Sequence, residues 1–403
     1  MGVNNMHVVV LGGAGAMGQV VVLDLLDCKE VSRVVIGELD HSRAQAFRNR
    51  LRDDRVSCVA IDAGRTDELA GVLAGASVCI NCTQYYFNKH VMEACLMSST
   101  DYVDLGGLFH TTRKQLELYS EFVEKGKLAV LGCGSTPGIT NVMARFAADK
   151  LDRVRSVVVR IGSVDRAAAT GFFPPYSLDT ILDEATLNPV VFQSGEFREV
   201  PSLSGEEDFL FPDPVGPATT VYTLHSEVAT FPTSYSSKGI ERAEFRIAFP
   251  REFLEKLRFL VSLGLCERDP LIVKGVPVSP RDVLAALTAR NASAQAPDDC
   301  DIIRVDVAGT QEGKPVHYVL EARVRPHPGW GVSAGALDTG VPASIIAQMI
   351  SKGEIRGPGV YPPELVVPAE PFFSALAQRG IRVETRTEIS NVSELVDSKR
   401  RIV

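Results

Sequence analysis

His7-Val8-Val9-Val10-Leu11-Gly12-Gly13-Ala14-Gly15-Ala16-Met17-Gly18 is a short apolar run that breaks into a glycine loop. The run reads as a strand over 7–11, and Gly13 to Gly18 spell G-x-G-x-x-G. In such a loop Gly13 allows the tight turn and Gly15 lets the backbone approach a pyrophosphate. Gly18 lets the next helix pack on the strand. Ala16 and Met17 open that helix, whose first N–H groups face phosphate oxygens. A second apolar run, Arg33-Val34-Val35-Ile36-Gly37, ends at Glu38. A carboxylate about twenty residues past the loop is placed to accept hydrogen bonds from a ribose diol. A bare glycine motif fits any strand–helix turn; with a strand before it, a helix after it and this acid, it specifies a dinucleotide site.

Working outward, apolar runs and helical stretches alternate. Strands are expected at 7–11, 33–38, 56–61, 77–82, 101–105 and 128–132, and helices at 17–27, 42–53, 66–74, 88–97 and 112–126. Asp24, Lys29 and Glu30 are read as the charged, exposed side of the first helix. This βαβα series predicts an α/β fold, a doubly wound parallel sheet of the Rossmann type with right-handed crossovers. Asp62 follows the third strand, at the adenine end of a dinucleotide. Asn81-Cys82-Thr83 closes the fourth strand, and Gly106 follows the fifth, near the crevice where such sheets bind ligands.

The pattern changes after Gly132-Cys133-Gly134-Ser135-Thr136-Pro137-Gly138. A helix at 139–150 and a strand at 155–161 follow, then a Pro-, Gly-, Ser- and Thr-rich stretch to 250. Period-two runs at 245–249, 304–307 and 318–324 indicate a mixed or antiparallel sheet. The prediction is a second α+β domain for substrate binding and dimerisation, over 136–337, after a dinucleotide domain over 1–135. The polar stretch 290–300 reads as a loop, 341–352 and 371–378 as helices, and the charged tail from 386 as frayed.

Size and composition agree with two domains and an ample core: 403 residues, 45% hydrophobic and 23% charged. A net charge of −8 gives no general affinity for nucleic acid or anionic membrane. Neither a signal peptide nor a membrane span is read, so a cytoplasmic protein is expected. Eight cysteines are too few for a disulfide framework at this length. Cys79-Ile80-Asn81-Cys82 lacks a second ligand pair, so no metal site is expected.

A nicotinamide enzyme also needs a proton-transfer group and a substrate anchor. Asp104, in Asp104-Leu105-Gly106-Gly107, lies at the nicotinamide end of the sheet; it either handles protons or caps the local loop. His225-Ser226-Glu227 either binds substrate or closes a strand. Arg246 is the odd member of an apolar strand. It needs an anion, which is either a substrate carboxylate or Glu241 or Glu244. Tyr85, Tyr86 and Asn88 follow the fourth strand and face the crevice, with Cys133 after the sixth also near it.

Several stretches together resemble the saccharopine dehydrogenase family. They are Gly12 to Gly18, Asn81-Cys82-Thr83-Gln84-Tyr85-Tyr86-Phe87-Asn88, Tyr102 to Gly107, Gly132 to Asn141, Gly195 to Pro201, His225-Ser226 and Thr339 to Ser344. The resemblance implies hydride transfer at an amino-acid C–N bond through an imine, with saccharopine or a lysine-like substrate. Alternatives are a lysine 6-dehydrogenase oxidising the free side-chain amine, or a non-catalytic dinucleotide-binding protein. It places Tyr85, Asp104 and Cys133 around the nicotinamide and Arg246 on a substrate carboxylate. It further implies a homodimer and a segment from about 338 to 403 that returns to the dinucleotide domain. The family's NADP users carry basic or small residues where Glu38 and Asp40 stand, so NAD is expected, with Arg43 leaving NADP open. The 163–175 loop matches no substrate-specific pattern.

Overall fold

The computed structural model describes residues 5–166, 172, 176–290 and 296–389. The first part alternates strand and helix: β1 (Met6–Leu11), α1 (Ala16–Asp27), β2 (Val31–Glu38), α2 (His41–Leu51), β3 (Val56–Ala60), α3 (Thr66–Leu73), β4 (Val78–Asn81), α4 (Asn88–Ser98), β5 (Asp101–Asp104), α5 (Leu108–Leu116), α6 (Tyr119–Glu124) and β6 (Leu128–Val130). Val8, Val9 and Val10 are fully buried, as are Val34, Ile36, Val78 and Ile80. Apolar side chains on both faces of a strand are what a parallel sheet covered by helices on both sides demands.

The second part follows with α7 (Ile139–Ala148), β7 (Arg153–Asp165), α8 (Leu178–Thr186), β8 (Val190–Gln193), β9 (Glu196–Glu199), β10 (Glu207–Leu210), β11 (Pro217–Tyr222), α9 (Glu227–Ser234) and β12 (Arg242–Ala248). Next come α10 (Arg251–Ser262), a small hairpin of β13 (Leu271–Val273) and β14 (Val276–Val278), α11 (Pro280–Arg290), β15 (Asp299–Gln311) and β16 (Lys314–Val324). The chain ends with α12 (Ala334–Ser351), β17 (Gly359–Tyr361), α13 (Pro363–Val366), α14 (Ala369–Gln378) and β18 (Arg382–Ile389).

The parallel sheet has the order β17-β6-β5-β4-β1-β2-β3. Strand order reverses between β1 and β4, which opens a crevice at their carboxyl ends. The second sheet has nine strands, with β10-β11-β12-β7-β15-β16-β18 as its path and β8 and β9 off it. Only β12 and β7 run parallel in it, so it is mixed as expected. Register pairs Phe245 with Val159, and Val159 with Val305, so these share one face. That inner face packs against α7, α9 and α12. The alternate residues Arg246, Arg160 and Arg304 share the outer face.

Several expectations need correction. The helix expected at 112–126 begins at Leu108 and is divided into α5 and α6 between Leu116 and Tyr119. Asp24 is 1% exposed, because α12 lies on α1 there, with Gly340 against Val20 and Met17. The later helix begins at Ala334, ahead of 341, because the Ser333 hydroxyl and the Asp299 carboxylate cap it. The tail does not fray at 386: Arg382–Ile389 pairs antiparallel with β16, and 390–403 lie outside the described residues. The segment from 338 thus serves both sheets, β17 in the first and β18 in the second. Within 290–300, Asp299 and Cys300 already belong to β15, and 291–295 lie outside the described residues. So do 167–171 and 173–175 of the 163–175 loop. Among the described residues no helix is long and apolar enough to cross a membrane.

Candidate active site

The glycine loop fits a dinucleotide. Gly12 carries the left-handed turn at φ +68°, one residue ahead of the expected Gly13, and a Cβ on it would lie 2.8 Å from the Cys82 carbonyl oxygen. A Cβ on Gly18 would lie 2.1 Å from the Gly12 oxygen, so α1 approaches the loop only because that residue is glycine. A Cβ on Gly15 would meet only the Gly12 oxygen at 3.1 Å and the Arg43 guanidinium at 3.8 Å. No side chain caps α1, so the first-turn N–H groups of Ala16 and Met17 face the same space. Glu38 Oε1 accepts from the Ala14 N–H at 2.8 Å, which fixes the carboxylate against the glycine loop. Asp40 instead caps α2, accepting from the N–H groups of Ser42 and Arg43. Asp62 accepts from the Gly64 N–H, and Thr83 donates both N–H and hydroxyl to Asn81 Oδ1. Cys82 contributes its carbonyl; burial pushes its thiol well up.

Asp104 is 1% exposed, and both oxygens are taken. Oδ1 accepts from Gly106 N–H at 2.9 Å and Gly132 N–H at 2.7 Å; Oδ2 accepts from Gln115 at 2.6 Å and Asn88 at 3.3 Å. It ties the ends of the fifth and sixth strands together, which is the loop-capping alternative and not proton transfer. Asn88, 1% exposed, also donates to the Gly106 carbonyl and belongs to this scaffold, not to a substrate surface. Cys133 is fully buried behind it, and burial raises its thiol well above the usual range, so it offers no nucleophile or acid. Ser226 joins the domains: its hydroxyl accepts from the Gly107 N–H at 3.3 Å and from Thr112 at 3.2 Å.

That joint carries its neighbour His225 into the crevice. The imidazole stacks on Phe245 at 3.5 Å and is hydrogen-bonded through Nδ1 to Glu227. Thr140 donates to the other Glu227 oxygen at 2.9 Å. Glu184 of α8 lies beside this pair and accepts from the Tyr176 hydroxyl. Burial pushes the Glu184 carboxyl up to about 7. Burial pulls the other way on His225, but Glu227 and Glu184 outweigh it and raise the imidazole. A histidine backed by one carboxylate, with a second acid poised near neutrality, is an arrangement that moves protons.

Tyr85 lies elsewhere than expected. Its hydroxyl donates to Asp183 at 2.9 Å, and Asp183 also binds Arg281 at 2.6 Å and Arg268 at 3.0 Å. Burial and this carboxylate push the phenol well up, so Tyr85 fastens the crevice loop to α8 and does not shuttle protons. Tyr86 is 42% exposed, with Arg268 5.7 Å from its ring centroid. Arg246 is on the wrong face to hold a substrate. Successive strand residues point to opposite sides, and its neighbour Phe245 is the one under His225. Arg246 binds Glu244 at 3.2 Å, Glu207 at 3.3 Å and the Gly205 carbonyl at 2.7 Å, and it stacks on Tyr222. The internal ion pair with Glu244 is the alternative that holds.

The inner face carries acids that the pattern reading missed. Asp301 pairs in register with Ser163, and Asp338 of α12 lies beside it and beside Ser135. Asp338 was findable as the lone acid in the apolar stretch from Ala334 to Ile350. Glu227 was visible in its triplet. Glu184 was not, because its partners lie far away in sequence. Among the described residues no group of three or more His, Cys, Asp or Glu could hold a metal ion.

Two family profiles match this chain: saccharopine dehydrogenase NADP binding domain over residues 8–130 and saccharopine dehydrogenase C-terminal domain over 134–381. Carboxyaminopropylagmatine dehydrogenase of Synechocystis sp. is 25% identical over 401 residues, covering 93% of this chain and 96% of that protein. Carboxynorspermidine synthase of Vibrio alginolyticus is 26% identical, covering 83% of this chain and 84% of that one. Among solved structures, apo saccharopine dehydrogenase (L-Glu forming) from Saccharomyces cerevisiae aligns at TM-score 0.74 with 18% identity, over 95% of this chain and all of that one. Homospermidine synthase from Legionella pneumophila, in complex with NAD, aligns at 0.63 with 14% identity, over 96% and 91%.

Proposed function

The chain belongs to the saccharopine dehydrogenase family, NAD(P)-binding oxidoreductases, and from that premise we propose that it transfers hydride at a secondary-amine C–N bond of a carboxylated polyamine, through an imine. The observation that carries this reading is the charge of the inner face. Glu184, Glu227, Asp301 and Asp338 line it, while Arg246, the expected carboxylate anchor, points away. A buried acidic face with one imidazole favours a cationic chain over saccharopine, which carries three carboxylates. The names of the two relatives, carboxyaminopropylagmatine dehydrogenase and carboxynorspermidine synthase, denote carboxylated polyamines and support the same substrate class.

A nicotinamide held by the Gly12–Gly18 loop and Glu38 would supply the hydride acceptor for the carbon next to nitrogen, or the hydride donor in reduction. This chain's residues do the rest. The Gly12–Gly18 loop and Glu38 hold the dinucleotide at the β1/β4 crevice. His225 takes the proton from the substrate nitrogen, since only a neutral amine can release hydride. Glu227 stabilises the imidazolium that forms, and Glu184 holds a proton near neutral pH beside it. Water then adds to the imine and divides the molecule into an amine and a carbonyl compound. In the reducing direction His225 returns the proton.

The test is turnover of NAD and NADP with carboxynorspermidine, carboxyaminopropylagmatine, saccharopine and lysine. The highest kcat/KM is expected for a carboxylated polyamine. Faster turnover of saccharopine or of free lysine would overturn the substrate assignment. NAD binding with no turnover of any of them would favour the non-catalytic alternative. Glu38 also disfavours a 2′-phosphate, so kcat/KM is expected to be higher with NAD(H) than with NADP(H).

A further inference from the structure

We propose that Asp301, Asp338 and Ser135 form a recognition site for the terminal ammonium or guanidinium of the substrate, apart from the His225 centre. This rests on the amine-substrate reading above and adds the residues that select it. Asp301 is 6% exposed, Asp338 1% and Ser135 6%. Asp338 Oδ2 and the Ser135 hydroxyl are buried without a hydrogen-bond partner, and so is Oδ1 of the adjacent Asp299, whose Oδ2 caps α12. Among the described residues no lysine or arginine lies within ion-pair distance of these three acids.

Three other buried acids of this protein are neutralised by arginine. Asp24 binds Arg379, Asp183 binds Arg281 and Arg268, and Asp306 binds Arg160 and Arg304. Buried carboxyls with no cation beside them and with an oxygen left unsatisfied cost stability and ordinarily serve a purpose. Here burial and the neighbouring Asp299 push Asp301 up to about 6, against the lowering pull of hydrogen bonds with Ser163 and Asp338, and burial beside Asp301 holds Asp338 well above the usual carboxylate range. Both strains are relieved when a cation arrives. The acids do not form a metal-binding group, and two carboxyls with a hydroxyl suit the N–H donors of an organic cation. Ser135 belongs to the loop that carries Gly132 and Pro137 against the crevice, so the site adjoins the dinucleotide end. By strand spacing and rise, Asp301 lies on the order of 15 Å from Phe245 beneath His225. That is the reach of a linear polyamine with its reacting bond near one end.

The probe is 1,3-diaminopropane, titrated by calorimetry into the NAD-saturated protein, alongside carboxynorspermidine turnover. Wild type is expected to bind the diamine. Asp338→Asn and Asp301→Asn, near-isosteric and free of like-charge repulsion, are expected to bind it at least about tenfold more weakly while still binding NAD. Ser135→Ala should weaken it less. Should one asparagine variant fail to fold, the other carries the test. No diamine binding by wild type, or equal binding by the variants, overturns the inference. Normal carboxynorspermidine turnover with KM unchanged in both variants overturns this site alone. Aspartate-dependent diamine binding without turnover of carboxylated polyamines supports the site and overturns the proposed reaction.

Discussion

Glu184 links titration to fold stability. Its folded-state value of about 7 stands above the 4.5 of an ordinary glutamate, so the native state holds a proton that the unfolded chain has released. Stability from this group is therefore present below about pH 4.5 and is lost as pH rises through about 7. Glu184→Gln should flatten that decline, giving a Tm several degrees above wild type at pH 8 and little difference at pH 5, measured by thermal melts across that range. His225→Ala should lower kcat by about a hundredfold or more without changing the NAD Kd. Unchanged turnover would remove His225 from proton transfer. His225 was legible because a polar triplet interrupts an apolar stretch. Glu184 was not: it meets His225 across some forty positions, and no local pattern encodes that encounter.

Elements were read well where periodicity alone decides them. The six expected strands of the parallel sheet follow from apolar runs of strand length alternating with helical ones, and so do their helices, except that the one expected at 112–126 is two, Leu108–Leu116 and Tyr119–Glu124. Period two also located β12, but alternation does not say which face meets the crevice. That ambiguity misplaced Arg246. With its partner Glu244 fully buried, Arg246→Met should destabilise the protein by about 3 kcal/mol in denaturant titrations. A folded variant should keep its substrate KM within about twofold. Asp24 shows the same limit on a helix. It looks like a surface charge until α12 covers it, where Ser344 at 2.6 Å, Gln348 at 3.0 Å and Arg379 converge on its carboxylate. Asp24→Ala would leave Arg379 unpaired and should cost about 3–5 kcal/mol in the same titrations.

At the scale of the whole molecule, the late segment is what local reading could least supply. A strand of three residues, β17, completes the first sheet, and β18 completes the second after the chain has passed over both. Pairing partners for β17 lie at Leu128 to Val130 and for β18 at Val316 to Arg323, separations that no window of sequence spans. This routing works as a lock-stitch. The chain passes between the halves after β6, again on entering α12, and again between β17 and β18. A single peptide cut in any one of these links leaves the halves joined through the other two and through α12. Ligand energy delivered to the glycine loop is therefore shared by a sheet that never touches it. Saturating NAD should raise one cooperative melting transition for the entire protein, and two separately shifting transitions in calorimetry would unpick the stitch.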